Sequence, residues 1–169
     1  MIIYRKLQQG ESQKFWDLMS QLDNETRYMM YEPGERKEKA SDTGILEVAI
    51  EDALNDNSFL LIAEDDHKLV GYISAQRERL KRVTHTAYIV VGILKQYTNQ
   101  GIGTEFFRRL DAWAQAQKVT RLELTVICEN EVAVHLYKKA GFEIEGTKRK
   151  SICLNGKWVD EYYMAKLTD

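Results

Sequence analysis

The chain of 169 residues contains only two cysteines, one proline and no apolar run near the ~18 residues that a membrane-spanning helix needs. Cys128 and Cys153 form no CxxC pair and no Cys/His cluster with metal spacing, so two reduced thiols are expected rather than a disulfide or a metal site. Residues 1–6 lack the apolar core of a signal peptide, and a cytoplasmic protein is expected. An excess of one charge is missing too. Lys and Arg total 24 against 26 Asp and Glu, for a net charge of −2. That balance argues against bulk electrostatic binding to nucleic acid or membrane. There is no internal repeat, low-complexity tract or linker. With a hydrophobic fraction of 44%, a single domain over 1–169 is expected.

What is present is a regular alternation of periods. Residues 2–7 read as a strand. Residues 11–24 read as a helix, because Phe15, Leu18, Met19 and Leu22 share one face. The polar stretch 25–42, with Pro33, reads mostly as loop. A second helix follows, with Thr43 as its cap and Ile45, Leu46, Ala49, Ile50, Ala53 and Leu54 at helical spacing. Strands are expected at 58–64, at 69–80 and from about 83 to 94. A helix to about 117 carries the stripe Ile102, Phe106, Leu110 and Trp113.

Residues 121–127 alternate, with Leu122, Leu124 and Val126 on one side. Asn130 suits the cap of a helix reaching Ala140, and Gly141 the position after its end. Asn155-Gly156 between two strand-like runs signals a hairpin. The order predicts an α/β fold. Its mixed central sheet is mostly antiparallel, with one parallel, right-handed β-α-β crossover at about 83–127 and helices on both faces.

The chemistry concentrates where the run Val90-Val91-Gly92-Ile93-Leu94 enters a polar loop ending in Gly101-Ile102-Gly103 at a helix start. Such a junction directs backbone N–H groups and the positive end of a helix dipole at one point, which suits a phosphate. Two glycines also serve a tight turn or close packing. A dinucleotide fingerprint would need a third glycine where Phe106 stands, and the lysine-bearing phosphate loop of nucleotide hydrolases is absent.

Together with the segment from Asn130 through Tyr137 to Gly141-Phe142, this junction resembles the acyl-coenzyme A site of the Gcn5-related N-acetyltransferase family. That family's loop reads Gln/Arg-x-x-Gly-x-Gly/Ala; here it is Thr98-Asn99-Gln100-Gly101-Ile102-Gly103. Thr98 replaces the usual Arg or Gln, and Asn99 stands where Gly is common. The run 121–126 and the tail after Gly141 are similar to the branch of amino-acid and ribosomal-protein N-terminal acetyltransferases.

The resemblance implies acetyl-CoA as cosubstrate and no metal. Its pyrophosphate would lie on Gln100, Gly101, Ile102, Gly103 and Thr104. Its pantetheine arm would pair with the backbone at Val91 and Ile93, and Asn130 and Tyr137 would complete the cofactor site. Gly92 marks either a bulge or close packing beside it. A backbone N–H near Ile93 would meet the oxyanion. Tyr137 would be the general acid, and Glu123 the best candidate for a base that accepts the amine's proton. His67, His85 and His135 are expected at the surface.

Acceptor contacts are expected from Tyr31 and Glu32, with Tyr28 nearby, and from Tyr163 with Tyr162. The implied activity is acetyl transfer to a primary amine, a small amine or amino acid, by direct attack in a ternary complex. The alternatives are a protein N-terminus, a polyamine, or a non-catalytic acyl-CoA sensor. Family members often pair through sheet edges, so a homodimer is implied.

Overall fold

The computed structural model describes residues 1–39 and 42–169. In chain order the elements are β1 (Ile3–Arg5), α1 (Ser12–Glu25), α2 (Glu35–Lys39), α3 (Gly44–Leu54), β2 (Phe59–Asp65), β3 (Lys68–Arg77), β4 (Thr86–Ile93), a 3-10 turn (Lys95–Tyr97), α4 (Ile102–Ala116), β5 (Arg121–Ile127), α5 (Glu131–Lys139), β6 (Glu143–Leu154) and β7 (Lys157–Leu167). The strands form one seven-stranded sheet in the order β1-β2-β3-β4-β5-β7-β6. Among the described residues only β4 and β5 pair in parallel, as the crossover through α4 requires.

Helices cover both faces. Phe59 and Tyr72 lie on opposite faces, because Phe59 pairs with Ala75, three residues beyond Tyr72. Trp113 of α4 packs against Phe59 with ring centroids 5.6 Å apart. Phe15 of α1 meets Tyr72 edge-on at 5.0 Å. The α4 face is thus sealed by the stripe Ile102, Phe106, Leu110 and Trp113, all buried, and the other face by Phe15, Leu18 and Leu22. At the edge of the sheet, Arg5 joins three elements. Its guanidinium contacts Glu11 at 2.8 Å and Glu64 at 2.5 Å. The β6–β7 turn puts Asn155 at φ 49° and Gly156 at φ 80°, the two positive values a tight two-residue hairpin turn demands.

The structure departs from the sequence reading at Thr43 and Ile45 and refines it at 25–42 and at Gly92. The stretch expected to be mostly loop, 25–42, contains α2; its residues 40 and 41 lie outside the described residues. Thr43 does not cap α3 through its side chain; Asp42 Oδ1 accepts the Gly44 N–H at 2.8 Å instead. Ile45 is 75% exposed, because α3 buries only the narrow stripe of Ile50 and Ala53. Gly92 is not a bulge, since the β3–β4 register runs through it without a shift. A Cβ there would lie 2.7 Å from Leu22 Cδ1 and 3.1 Å from Tyr72 Cε1, so the glycine admits close packing.

Candidate active site

The parallel ladder between β4 and β5 is only three pairs long: Thr86 with Arg121, Ala87 with Leu122, and Tyr88 with Glu123. Beyond Tyr88 the two strands part. Backbone direction along β4 follows from its partner β3. Thr86 O accepts from Glu78 N at 3.0 Å, and Leu94 N donates to Val70 O at 2.9 Å. In an antiparallel ladder, groups alternate between facing the partner and facing away. Even-numbered residues of β4 therefore face β3. The N–H and C=O groups of Val91 and Ile93 face the opening toward β5. They form a short strand edge inside the sheet, able to pair with an extended chain.

At the end of this opening lies the start of α4. Gly101 caps the helix in the left-handed conformation, φ 83°, with nothing within 4 Å of the position a Cβ would take. No side chain among the described residues caps the helix. The N–H groups of Ile102, Gly103 and Thr104 precede the first intrahelical bond, which Glu105 N makes to Gly101 O at 3.1 Å. Asn99, in place of the common Gly, sits at φ 60°, a conformation asparagine adopts more readily than most residues. The Gln100 side chain folds back onto Gln96 O at 3.0 Å, leaving the cradle to backbone donors.

A cleft of about 600 Å³ opens beside this turn. Ile93, the loop and the first turn of α4 form one wall; Glu131, Val132, His135, Leu136 and Lys139 of α5 form the other. The walls approach closely because Gly103 has no side chain: a Cβ there would lie 2.9 Å from Leu136 Cδ2. His135 is exposed, as the sequence reading expected, and still lines the cleft; Lys139 was assigned no role. Their spacing of four on one helix face was the available signal.

Asn130 Oδ1 accepts the Ala133 N–H at 3.3 Å and so caps α5. That helix carries Tyr137, whose ring packs edge-on against Phe107 at 5.8 Å. The Tyr137 hydroxyl makes no hydrogen bond among the described residues. Burial pushes its pKa well above the ordinary phenol value, with smaller contributions from the phenols of Tyr88 and Tyr72. Tyr88 and Tyr72 belong to the α1 face of the sheet. The Tyr137 hydroxyl therefore holds its proton throughout the neutral range.

Glu123 projects on the α1 face, where the ladder ends. Its Oε2 accepts from Arg121 Nε at 2.8 Å, and Arg121 also binds Glu145 at 2.5 Å. Glu123, Tyr88, Thr125 and Tyr163 line a groove of about 340 Å³ on this face. Tyr88 and Thr125 bridge the two strands through their hydroxyls, 2.7 Å apart. Tyr162 turns to the opposite face, paired with Val126.

Tyr31 lies in the stretch between α1 and α2, with Arg36 stacked on its ring at 4.6 Å. Glu32 is exposed in the turn before α2, where its backbone N–H donates to the Glu35 carboxylate at 3.1 Å and its carbonyl accepts the Glu35 N–H at 3.0 Å. Tyr163 and Glu123 therefore come together, while Tyr31 is separate and Glu32 joins neither. Among the described residues, no group of three or more His, Cys, Asp or Glu side chains could hold a metal.

The comparisons agree with this geometry. A family model for the acetyltransferase (GNAT) family matches residues 16–142. The chain is 36% identical over 111 residues to the L-amino acid N-acetyltransferase AaaT of Escherichia coli strain K12, covering 63% of this chain and 67% of that protein. An acetyltransferase structure of the GNAT family from Streptococcus pneumoniae superposes with a TM-score of 0.91 at 27% identity, covering 100% of both chains. A structure of yncA from Salmonella typhimurium, solved with acetyl-CoA, shares the fold at a TM-score of 0.84 and 15% identity, over 100% of this chain and 95% of that one.

Proposed function

The chain belongs to the acetyltransferase (GNAT) family of acetyl-CoA-dependent acyltransferases, and we propose that it transfers the acetyl group of acetyl-CoA to the primary amine of an amino acid or related small molecule. The observation that carries this reading is one continuous set of backbone donors. It runs from Val91 and Ile93, facing the opening in the sheet, to the unpaired first turn of α4 at Ile102, Gly103 and Thr104. The first two suit the amides of a pantetheine arm, and the helix start suits a pyrophosphate. Gln100 and Gly101 complete the cradle. Asn130 fixes the helix that closes the cleft.

Acetyl-CoA, once bound, supplies an activated acetyl group. The Ile93 N–H faces the opening and would stabilise the negative charge that develops on the acetyl oxygen. Tyr137, kept protonated by burial, donates its proton to the departing thiolate as the amine nitrogen bonds to the acetyl carbon. Glu123 accepts the proton that the amine loses, directly or through water.

A small acceptor is favoured over a polypeptide. Arg27, in the loop after α1, reaches Glu129, in the loop after β5, at 3.6 Å. The two loops thus meet across the mouth of the opening and leave less room for a chain to lie in it. The resemblance to an L-amino acid N-acetyltransferase supports the same choice.

The test is thermal unfolding with acetyl-CoA, compared with ADP. At 100 times its dissociation constant, a ligand specific to the folded state adds about 2.7 kcal/mol. A rise in Tm with acetyl-CoA and not with ADP is expected, followed by thiol release when amino acids are added. No rise at millimolar acetyl-CoA would overturn the proposal.

A further inference from the structure

Half-buried arginines in this fold pair with carboxylates, with one exception among the described residues. Arg5, Arg36, Arg109 and Arg121 each hold a glutamate or an aspartate. Arg77, half-buried at the end of β3, forms no ion pair among the described residues. Its position is nonetheless fixed. Its backbone N–H donates to Ser58 Oγ at 3.2 Å, and its Nε donates to Thr84 O at 2.6 Å. Nη1 and Nη2 make no hydrogen bond among the described residues, so the N–H donors on both stay open on a pinned guanidinium. A partly buried cation without a counter-charge is a costly arrangement that a bound anion relieves.

Arg77 lines a cleft of about 500 Å³ where the start of β2, the end of β3 and the start of β4 meet. That volume is typical of small-molecule sites. Arg79 lines the same cleft, held by Asp52 through Nη2 at 2.6 Å, with Nε and Nη1 unengaged among the described residues. Ser58 supplies a further donor. It is 6% exposed, and its oxygen accepts the Arg77 N–H, but its own hydroxyl proton meets no acceptor among the described residues. Two carboxylates also line the cleft. Asp52 is taken up by Arg79, and Glu78 is exposed. Residues 77–82 carry Arg77, Arg79, Lys81 and Arg82 against Glu78 alone, so even with Asp52 counted two positive charges are in surplus.

The cleft stands apart from the cofactor site. It lies before Thr86, where β4 begins, whereas the cofactor cleft lies at Ile93, where β4 ends. At about 3.3 Å per residue the strand holds the two roughly 23 Å apart.

We propose that this cleft is a second ligand site, which binds the phosphate group of a small molecule between Arg77, Arg79 and the Ser58 hydroxyl. A phosphate monoester carries about two negative charges at neutral pH and three strong acceptor oxygens. The charge matches the surplus. The three oxygens match donors arriving from two strand ends and a loop, which the single plane of a carboxylate meets less fully. Because the site is remote from the acetyl-CoA cradle, both ligands bind at once.

The experiment follows the backbone amide signals of the full chain by NMR as inorganic phosphate is added at constant ionic strength, with acetyl-CoA already present. Saturable shifts are expected at residues 57–58, 77–79 and 84. Arg77→Gln is expected to raise the dissociation constant of phosphate about tenfold or more, and Arg79→Gln about threefold or more, the effect of lost charge-assisted hydrogen bonds. Arg79 is exposed, so its variant decides the matter if Arg77→Gln, which loses the bond to Thr84 O, fails to fold. Malonate, titrated in the same way, is expected to bind more weakly than phosphate.

No saturable shift at 57–58, 77–79 and 84 overturns the proposal. Shifts confined to 101–104 do so equally, because they place phosphate in the cofactor cradle alone. An Arg79→Gln protein that binds phosphate within twofold of wild type overturns it too, and malonate bound as tightly as phosphate overturns the phosphate assignment. Failure of the cofactor reading shows separately, as amide signals that do not move when acetyl-CoA is added before phosphate.

Discussion

Gly103 and Leu136 hold the two walls of the cofactor cleft together: a Cβ on Gly103 would stand 2.9 Å from Leu136 Cδ2 and 3.0 Å from Leu136 Cδ1. Alanine at 103 must push α5 away from α4 or force the leucine out of its rotamer. Overpacking of this kind costs about 1–3 kcal/mol. Gly103→Ala should therefore lower Tm and weaken acetyl-CoA binding together. Gly101→Ala differs in cause, because space is open there and only the backbone at φ 83° objects, at a cost of about 1–2 kcal/mol. Melting curves with and without acetyl-CoA measure both variants.

Tyr137→Phe should separate catalysis from binding. The hydroxyl makes no hydrogen bond among the described residues, and the ring contacts to Phe107 and Phe142 survive the change. Stability and acetyl-CoA affinity should stay near wild type, while kcat falls about 10²-fold or more, as for loss of a general acid. A variant with wild-type kcat would remove Tyr137 from the reaction.

The contrast among these residues shows what the sequence made legible. Local signals sufficed for the Gly101-Ile102-Gly103 turn, for the Asn130 cap and for the Asn155-Gly156 hairpin, because each is decided by the conformation of adjacent residues. The stripe Ile102, Phe106, Leu110 and Trp113 was legible because one helix face meets one sheet. Tyr72 was not legible. Its position in the alternating strand β3 reads as ordinary core, and its contacts with Phe15 and Gly92 come from elements distant in sequence. Arg36 was hidden for a further reason. It sits in a five-residue helix too short to show periodicity, within a stretch whose polarity and proline read as loop.

Asn130→Ala should weaken the cofactor site from a distance. The side chain satisfies the Ala133 N–H, one of the orphan donors at the start of α5. Its loss costs about 1 kcal/mol. α5 supplies one wall of the cleft and carries Tyr137, so fraying of its first turn should raise the dissociation constant of acetyl-CoA more than it lowers Tm. Asn130→Asp or Asn130→Ser keeps a cap acceptor and should restore most of the binding. Equal affinity in the alanine variant would show that the cap is dispensable to the site.

The Arg5 cluster should set the acid limit of the fold. The Arg5 guanidinium, hydrogen-bonded to Glu11, holds the Glu11 carboxyl down to about 2, well below its ordinary 4.5. A carboxyl whose folded-state value is depressed binds fewer protons folded than unfolded, so it stabilises the fold fully above its unfolded value. That stabilisation should fade as pH falls from about 4.5 toward 2. Glu11→Gln keeps the size but not the charge. It should be less stable than wild type at pH 7, with the difference shrinking toward pH 2. The charge matters here because Arg5 also serves Glu64, so the start of α1 loses its tie to β1 and β2 when Glu11 is protonated. Urea midpoints of both proteins from pH 7 to pH 2 test this, and parallel curves would show that the cluster carries none of the pH dependence.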